Sequence, residues 1–214
     1  MIYLILTIIC SSSIALILKY GNVKKSNTLV LINANYITAS LFSLIYIIIQ
    51  GEVYISLSAF LFALFLGYLF AETFLIYSKA VGFAGTALAT VSARLSVLIP
   101  VIFSILFFNE SPDLKMISGF IVALITFYFF YLSLKKNNVN GKDKRAYLYL
   151  VLLFVGIGFV DFSMKIFERN FSSNEKATFV FTIFFTAFLY TFFRIIIQKI
   201  KYEKETFRAG LILG

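Results

Sequence analysis

Long apolar runs alternate with short polar connections along the whole chain. Cutting the sequence at the ~20 mostly apolar residues a helix needs to cross hydrocarbon predicts spans near residues 2–19, 28–49, 56–79, 83–109, 114–134, 146–168 and 176–197. An eighth is expected to begin at Gly210-Leu-Ile-Leu-Gly214. No connection is long enough for a soluble domain. The pattern therefore predicts an all-α integral membrane protein, a multi-span helical bundle in the lipid bilayer. Met1-Ile-Tyr-Leu-Ile-Leu6 has no basic flank and no small-residue cleavage site before the next span, so it reads as a first span rather than a removable signal.

The basic residues fall on alternate connections. Lys19, Lys24, Lys25, Lys79, the stretch from Lys135 to Arg145 and the stretch from Arg194 to Arg208 lie on one side, whereas Lys115, Lys165, Arg169 and Lys176 lie on the other. By the positive-inside rule the odd connections are cytoplasmic and the N-terminus is outside. This asymmetry accounts for the formal net charge of +9, and no basic segment is long enough to argue for nucleic acid. One cysteine, Cys10, and no histidine exclude an intrachain disulfide and imidazole chemistry, so neither a metal centre nor a cofactor is expected. An embedded enzyme would have only scattered carboxylates to work with, and no enzymatic activity is expected.

Lys135-Lys-Asn-Asn-Val-Asn-Gly-Lys-Asp-Lys-Arg145 is the longest polar stretch and the natural boundary between two bundles. Across it Ile2-Tyr3-Leu4-Ile5-Leu6 aligns with Leu148-Tyr149-Leu150-Val151-Leu152, and the same offset brings Lys19 onto Lys165. This divides the chain into a first five-helix repeat at 1–135, a basic cytoplasmic loop at 136–145, and a partial second repeat at 146–214 with two full spans and the start of a third. A repeat of five helices, an odd number, must be inverted in the membrane in its second copy, which is a transporter architecture.

Within the fourth span sits Arg94. On one continuous helix over 85–106, at ~100° per residue, Leu88, Val91, Leu95, Leu98, Ile99, Ile102 and Leu106 cover an arc for lipid or a greasy neighbour. Gly85, Ala89, Ser92 and Ser96 form a small-residue ridge suited to close helix contact. Thr86, Thr90 and Arg94 form a third row that turns Arg94 away from lipid. The third and fourth spans make a hairpin turning near Val81-Gly82, with Glu72 nine residues before Val81 and Arg94 thirteen after it. At ~1.5 Å per residue the two charges differ in height by several ångströms, within reach of a long side chain. The pair is either a static bridge locking the hairpin or part of a polar pathway meeting substrate or a proton.

Further polar rows share faces: Asn33, Tyr36, Ser40 and Ser43 on the second span, and Thr178, Thr182, Thr186 and Tyr190 on the seventh. Each serves either as interhelical glue or, together, as the lining of a central cavity. Asp161 and Lys165 stand at i, i+4, the spacing of a neutralising pair. Pro100 removes a backbone hydrogen bond within the fourth span and marks either a packing kink or a moving bend. Gly156 and Gly158 make a close-approach point in the sixth. The candidate pathway residues are thus Glu72, Arg94, Thr90, Asn33 and Tyr36, with Pro100, Gly85 and Ser96 in hinge or packing roles.

Val81-Gly-Phe-Ala-Gly-Thr-Ala-Leu-Ala-Thr90, Leu98-Ile-Pro-Val-Ile-Phe103, Phe108-Asn-Glu110 and Ser118-Gly119 together resemble the end of the first repeat in EamA-like members of the drug/metabolite transporter superfamily. The resemblance implies two inverted five-helix repeats, ten spans in all, and alternating-access movement of a small-molecule substrate by a multi-pass protein of the bacterial cytoplasmic membrane. Since the sequence stops in the eighth span, it is expected to be a fragment of a longer protein. The expected function is a secondary transporter, a permease or exporter; the alternative is a non-transporting membrane scaffold or degenerate fragment. A small multidrug pump of four-helix chains would need an embedded acid in the first span, and Met1 to Lys19 contains none.

The topology makes a direct prediction. Single cysteines replacing Lys142 or Ser172, in a Cys10→Ser background, label with an impermeant thiol reagent from opposite sides, the Ser172 position from outside. Labelling of only the Lys142 position from outside would invert the orientation.

Overall fold

The computed structural model describes residues 13–21, 27–51, 53–108, 111–136 and 144–213. Most of the first expected span with Cys10, as well as Lys24, Lys25, Asn109, Glu110 and the central loop 137–143 with Lys142, lies outside the described residues. The rest is mostly helical. Residues 13–21 form α1, followed by α2 (Thr28–Gln50), α3 (Leu57–Ala84), α4 (Thr86–Leu95), α5 (Leu98–Phe108), α6 (Leu114–Lys136), α7 (Lys144–Asn170), α8 (Lys176–Ile197) and α9 (Lys204–Leu213). With α4 and α5 taken as one crossing and α8 with its preceding turn, five helical segments among the described residues are long and apolar enough to span a membrane. α6 coincides with the fifth expected span and carries a shorter apolar stretch, Ile117–Phe130. The chain is an all-α, multi-span membrane protein.

The helix ends are set by local chemistry. Asn27 caps α2 by accepting from the Leu29 N–H at 3.0 Å, and Gly51 closes it in the left-handed region at φ 70°. At the start of α3, Glu175 accepts from the Ser56 N–H at 3.0 Å and from its hydroxyl at 2.8 Å. Glu175 is buried, and its carboxylate lies at the positive end of the α3 dipole. This contact pins the beginning of α3 to the beginning of α8.

α2 packs along α8, α3 lies against both α7 and α8, α7 also covers α4 and α5, and the short α9 lies on α2. At the Glu175 end the apolar filling is aromatic, with the Phe167 and Phe179 rings stacked at 3.7 Å between centroids. Gly67 lets α3 approach α8, since a Cβ there would fall 2.6 Å from the Ile183 carbonyl oxygen. The close approach expected at Gly156 and Gly158 is real: added Cβ atoms would fall 3.0 Å from the Thr73 hydroxyl and 2.5 Å from Ile99 Cδ1. α7 is thereby seated between α3 and α5.

Three expectations are corrected. The turn after α3 is at Gly85, not at Val81-Gly82, because α3 remains helical to Ala84. Gly85 alone joins α3 to α4 at φ 86°, ψ 161°, a conformation essentially reserved for glycine. The fourth span is not one continuous helix: it breaks at Ser96-Val97 into α4 and α5. The break lies where the Pro100 ring would meet the carbonyl four residues earlier, that of Ser96. Ile99 takes that carbonyl instead, its N–H lying 3.0 Å away in a tighter i to i−3 bond. Finally, the last helix starts at Lys204 rather than Gly210. Thr206 and Gly210 are buried, and Gly210 rests against the Leu31 backbone of α2.

These glycines predict opposite responses to one methyl group. Gly85→Ala has room for its Cβ but must hold a forbidden backbone angle, costing about 1–3 kcal/mol and lowering the melting temperature in detergent. Gly119→Ala, with nothing within 4 Å of the new Cβ, leaves stability unchanged or raises it by up to ~1 kcal/mol through helix propensity. Thermal unfolding of the two variants, followed by far-UV circular dichroism, checks the difference.

Candidate functional site

Glu72 and Arg194 meet between α3 and α8. Arg194 Nη1 donates to Glu72 Oε1 at 2.7 Å and to the Tyr190 hydroxyl oxygen at 3.2 Å. The Tyr190 hydroxyl itself donates to Glu72 Oε1. Tyr190 is held by its ring, edge-on to Tyr68 at 5.1 Å between centroids. The cation at Glu72 is thus Arg194, not Arg94 as the hairpin geometry led one to expect. The reason is one of faces: α3 presents Glu72 toward α8, while its neighbour Thr73 faces α7 at Gly156. Arg194 stands one i+4 step beyond Tyr190, so the row Thr178, Thr182, Thr186, Tyr190 leads directly to it. The sequence carries that signal, but Arg194 sits in the last turn of α8, where it also reads as the first of the loop cations.

The pair forms the floor of a cavity of about 690 Å³. Asn27, Thr28 and Leu29 of the α2 start, Leu75, Ile76 and Lys79 of α3, and the α8–α9 connection from Gln198 to Lys201 complete its walls, together with Glu203. Both charged side chains remain about one-third exposed to it, 31% for Glu72 and 33% for Arg194. The cavity opens on the side of the molecule that carries Lys79, Lys199 and Lys201.

The opposite face of α3 is different. Phe70, Thr73, Phe74 and Tyr77 line a separate apolar cavity of about 200 Å³, closed by Ile157, Val160 and Asp161 of α7 and Ile14 of α1. Arg94 belongs to this half of the molecule, where its charge acts on Asp161. It is exposed rather than turned inward. α4 buries Leu88, Ala89, Ser92 and Leu95, and the Ser92 hydroxyl donates to the Leu150 carbonyl oxygen of α7 at 2.8 Å. Arg94 is on the flank left over, with Thr90 half-buried beside it.

Asn33 and Tyr36 hold helices together away from the Glu72 cavity. The Asn33 amide donates to the Phe188 carbonyl oxygen at 3.1 Å and to the Thr191 hydroxyl at 3.0 Å, and its oxygen accepts from the Tyr202 hydroxyl at 3.0 Å. Tyr202 lies in the α8–α9 connection, and partial desolvation pushes its phenol above the ordinary range. It therefore remains a hydrogen-bond donor at any physiological pH, fastening that connection to the α2–α8 seam. Tyr36 is fully buried and donates to the Phe70 carbonyl oxygen at 3.2 Å. Ser96 is buried at the α4–α5 break and donates to the Ala93 carbonyl oxygen at 2.6 Å. Pro100 lies in the first turn of α5, and Gly85 forms the α3–α4 turn.

A curated relative, an uncharacterized protein from Haemophilus influenzae, is 28% identical over 222 residues, an alignment covering 99% of this chain and 74% of the relative. No solved structure matches. The EamA-like transporter family matches residues 1–132, a stretch that runs from the N-terminus through most of α6 and contains Glu72, Gly85, Arg94 and Pro100. The chain belongs to the EamA-like transporter family, and is thus a multi-pass membrane transporter of the drug/metabolite superfamily rather than an enzyme.

Proposed function

We propose that the chain is a secondary transporter, a permease or exporter, that moves a small metabolite by alternating access across a bacterial cytoplasmic membrane. The observation that carries this reading is the Glu72–Arg194 pair, ionic and half-buried within two spanning helices, at the floor of an open cavity of about 690 Å³. Charges at that depth are expensive unless they are paired or face water, and they mark substrate or ion pathways. The basic rim supports an opening on the cytoplasmic side by the positive-inside rule. Asp161 and Arg94, across α3, belong to the second half of the pathway, and the break at Ser96-Val97 is the bend that moves.

An inverted repeat underlies the movement. Adding the 146-residue offset that carries Ile2 onto Leu148 takes Thr28 to 174 and Leu57 to 203, within two residues of the starts of α8 at 176 and α9 at 204. Under that exchange α3 against α8 becomes α9 against α2, and both contacts exist. Such internal symmetry supports two repeats rocking about a shared site.

The test is saturable flux in proteoliposomes. Because each member of the pair is partly exposed to the cavity, either charge alone stays hydrated, and Glu72→Gln and Arg194→Met keep a monodisperse folded yield while losing most of the flux. The double variant is equally well folded and equally inactive. A double variant with full flux would take the pair out of the pathway, and well-folded wild-type protein without saturable flux would favour a non-transporting scaffold.

Alternating access has its own signature. In a Cys10→Ser background, Ile76→Cys in the cavity wall labels from the basic side, and added substrate changes the labelling rate severalfold. A rate unchanged by every substrate that shows flux would argue against the movement.

A further inference from the structure

We infer that the Glu72–Arg194 cavity is selective for a small organic anion, recognised through a carboxylate or phosphate group by the unused side of the Arg194 guanidinium; this rests on the reading of the cavity as the transport site. Only Nη1 of Arg194 is engaged, by Glu72 and Tyr190. Among the described residues nothing accepts from its Nε or Nη2, and a third of the side chain faces the cavity. A planar fork with one edge held and the other presented to water is suited to bidentate capture of a carboxylate or phosphate.

The charge around it has the matching sign. The cavity is lined by four cations, Lys79, Arg194, Lys199 and Lys201, and two carboxylates, Glu72 and Glu203. Both carboxylates are occupied: Glu72 by Arg194 and Tyr190, Glu203 by the Thr206 hydroxyl at 3.0 Å. Lys79 stands 5.6 Å from the Tyr149 ring centroid, and no described carboxylate lies within ion-pair distance of any of the three lysines. A ligand entering here meets a net positive field from the three lysines, with the Glu72–Arg194 pair at the floor. Leu29, Leu75 and Ile76 supply apolar wall for the remainder of the molecule. Glu72, on the Nη1 side, offsets the positive charge that the ligand meets on the free edge, so it lowers the affinity as a neighbouring anion, while Tyr190 holds Arg194 in place.

Opposite signs for the two partners test the inference. Purified protein in phosphatidylcholine nanodiscs is titrated with succinate, glycerol 3-phosphate and choline at constant ionic strength, following thermal unfolding by tyrosine fluorescence. Succinate or glycerol 3-phosphate raises the midpoint saturably, and choline does not. Glu72→Gln, which frees the guanidinium, tightens the anion severalfold. Arg194→Gln, and Glu72→Gln/Arg194→Gln in which no charge is stranded, weaken it at least tenfold, whereas Lys201→Gln at the mouth weakens it two- to threefold. In nanodiscs containing phosphatidylglycerol, unchanged succinate binding assigns the site to a soluble anion. Loss of the succinate response, together with an Arg194-dependent stabilisation by the lipid, assigns it to an anionic headgroup; both results support an anion site. Saturable stabilisation by choline, or anion binding that survives the double variant, would overturn it. Anion binding without flux would overturn the transport reading alone, and saturable flux of a cation blocked by the Arg194 variant would overturn the anion reading alone.

Discussion

A carboxylate inside a membrane-spanning helix needs a counter-charge or access to water, and one arrangement of α3 and α8 gives Glu72 a cation and an open cavity. Arg194 neutralises it, Tyr190 fixes the geometry, and the open cavity leaves the side chain about one-third exposed. The arrangement exists only because the two helices run close together over their length. Gly67 permits the close contact against Ile183, and Glu175 ties the far ends together through Ser56. A change at either of those points moves the charges of the site without touching them.

α3 is also a partition. Glu72, Leu75, Ile76 and Lys79 face the polar cavity, whereas Phe70, Thr73, Phe74 and Tyr77 face the apolar one with Asp161. Helical periodicity makes this separation unavoidable: positions three and four apart share a face, and adjacent positions do not. Two chemically different compartments therefore sit back to back on one rigid element. The apolar side is bounded by the broken span, whose interruption at Ser96-Val97 carries i to i−3 bonds from the Val97 N–H to the Arg94 carbonyl and from the Ile99 N–H to the Ser96 carbonyl. This is how an irregular turn survives where backbone groups must be satisfied within the protein.

The bundle character, the approximate spans, the family resemblance and the Gly156–Gly158 contact were all legible in the sequence. Each follows from a local property: run length, residue inventory, short motif or side-chain size. Glu72 was also legible as a candidate site residue, because an acid in an apolar helix is conspicuous wherever the helix packs. The polar row on α8 was visible as well, and continuing it by one turn reaches Arg194. The break near Pro100 was partly legible, since proline's effect on the preceding turn is intrinsic to its ring.

The partner of Glu72 was not legible, and neither was the role of Asn33 or the exposure of Arg94. Height along a hairpin can be computed from residue number, but the face a residue presents depends on the rotation of each helix, and that rotation is chosen by packing with distant elements. α3 is rotated by its contacts with α7 and α8 together, so Glu72 turns to a residue 122 positions away while Arg94, 22 positions away in the sequence (94 − 72), stays on the other side. Sequence alone determined what kinds of groups the membrane had to accommodate; tertiary structure decided which of them meet, because side-chain contacts across a bundle are set by helix rotation and not by separation along the chain.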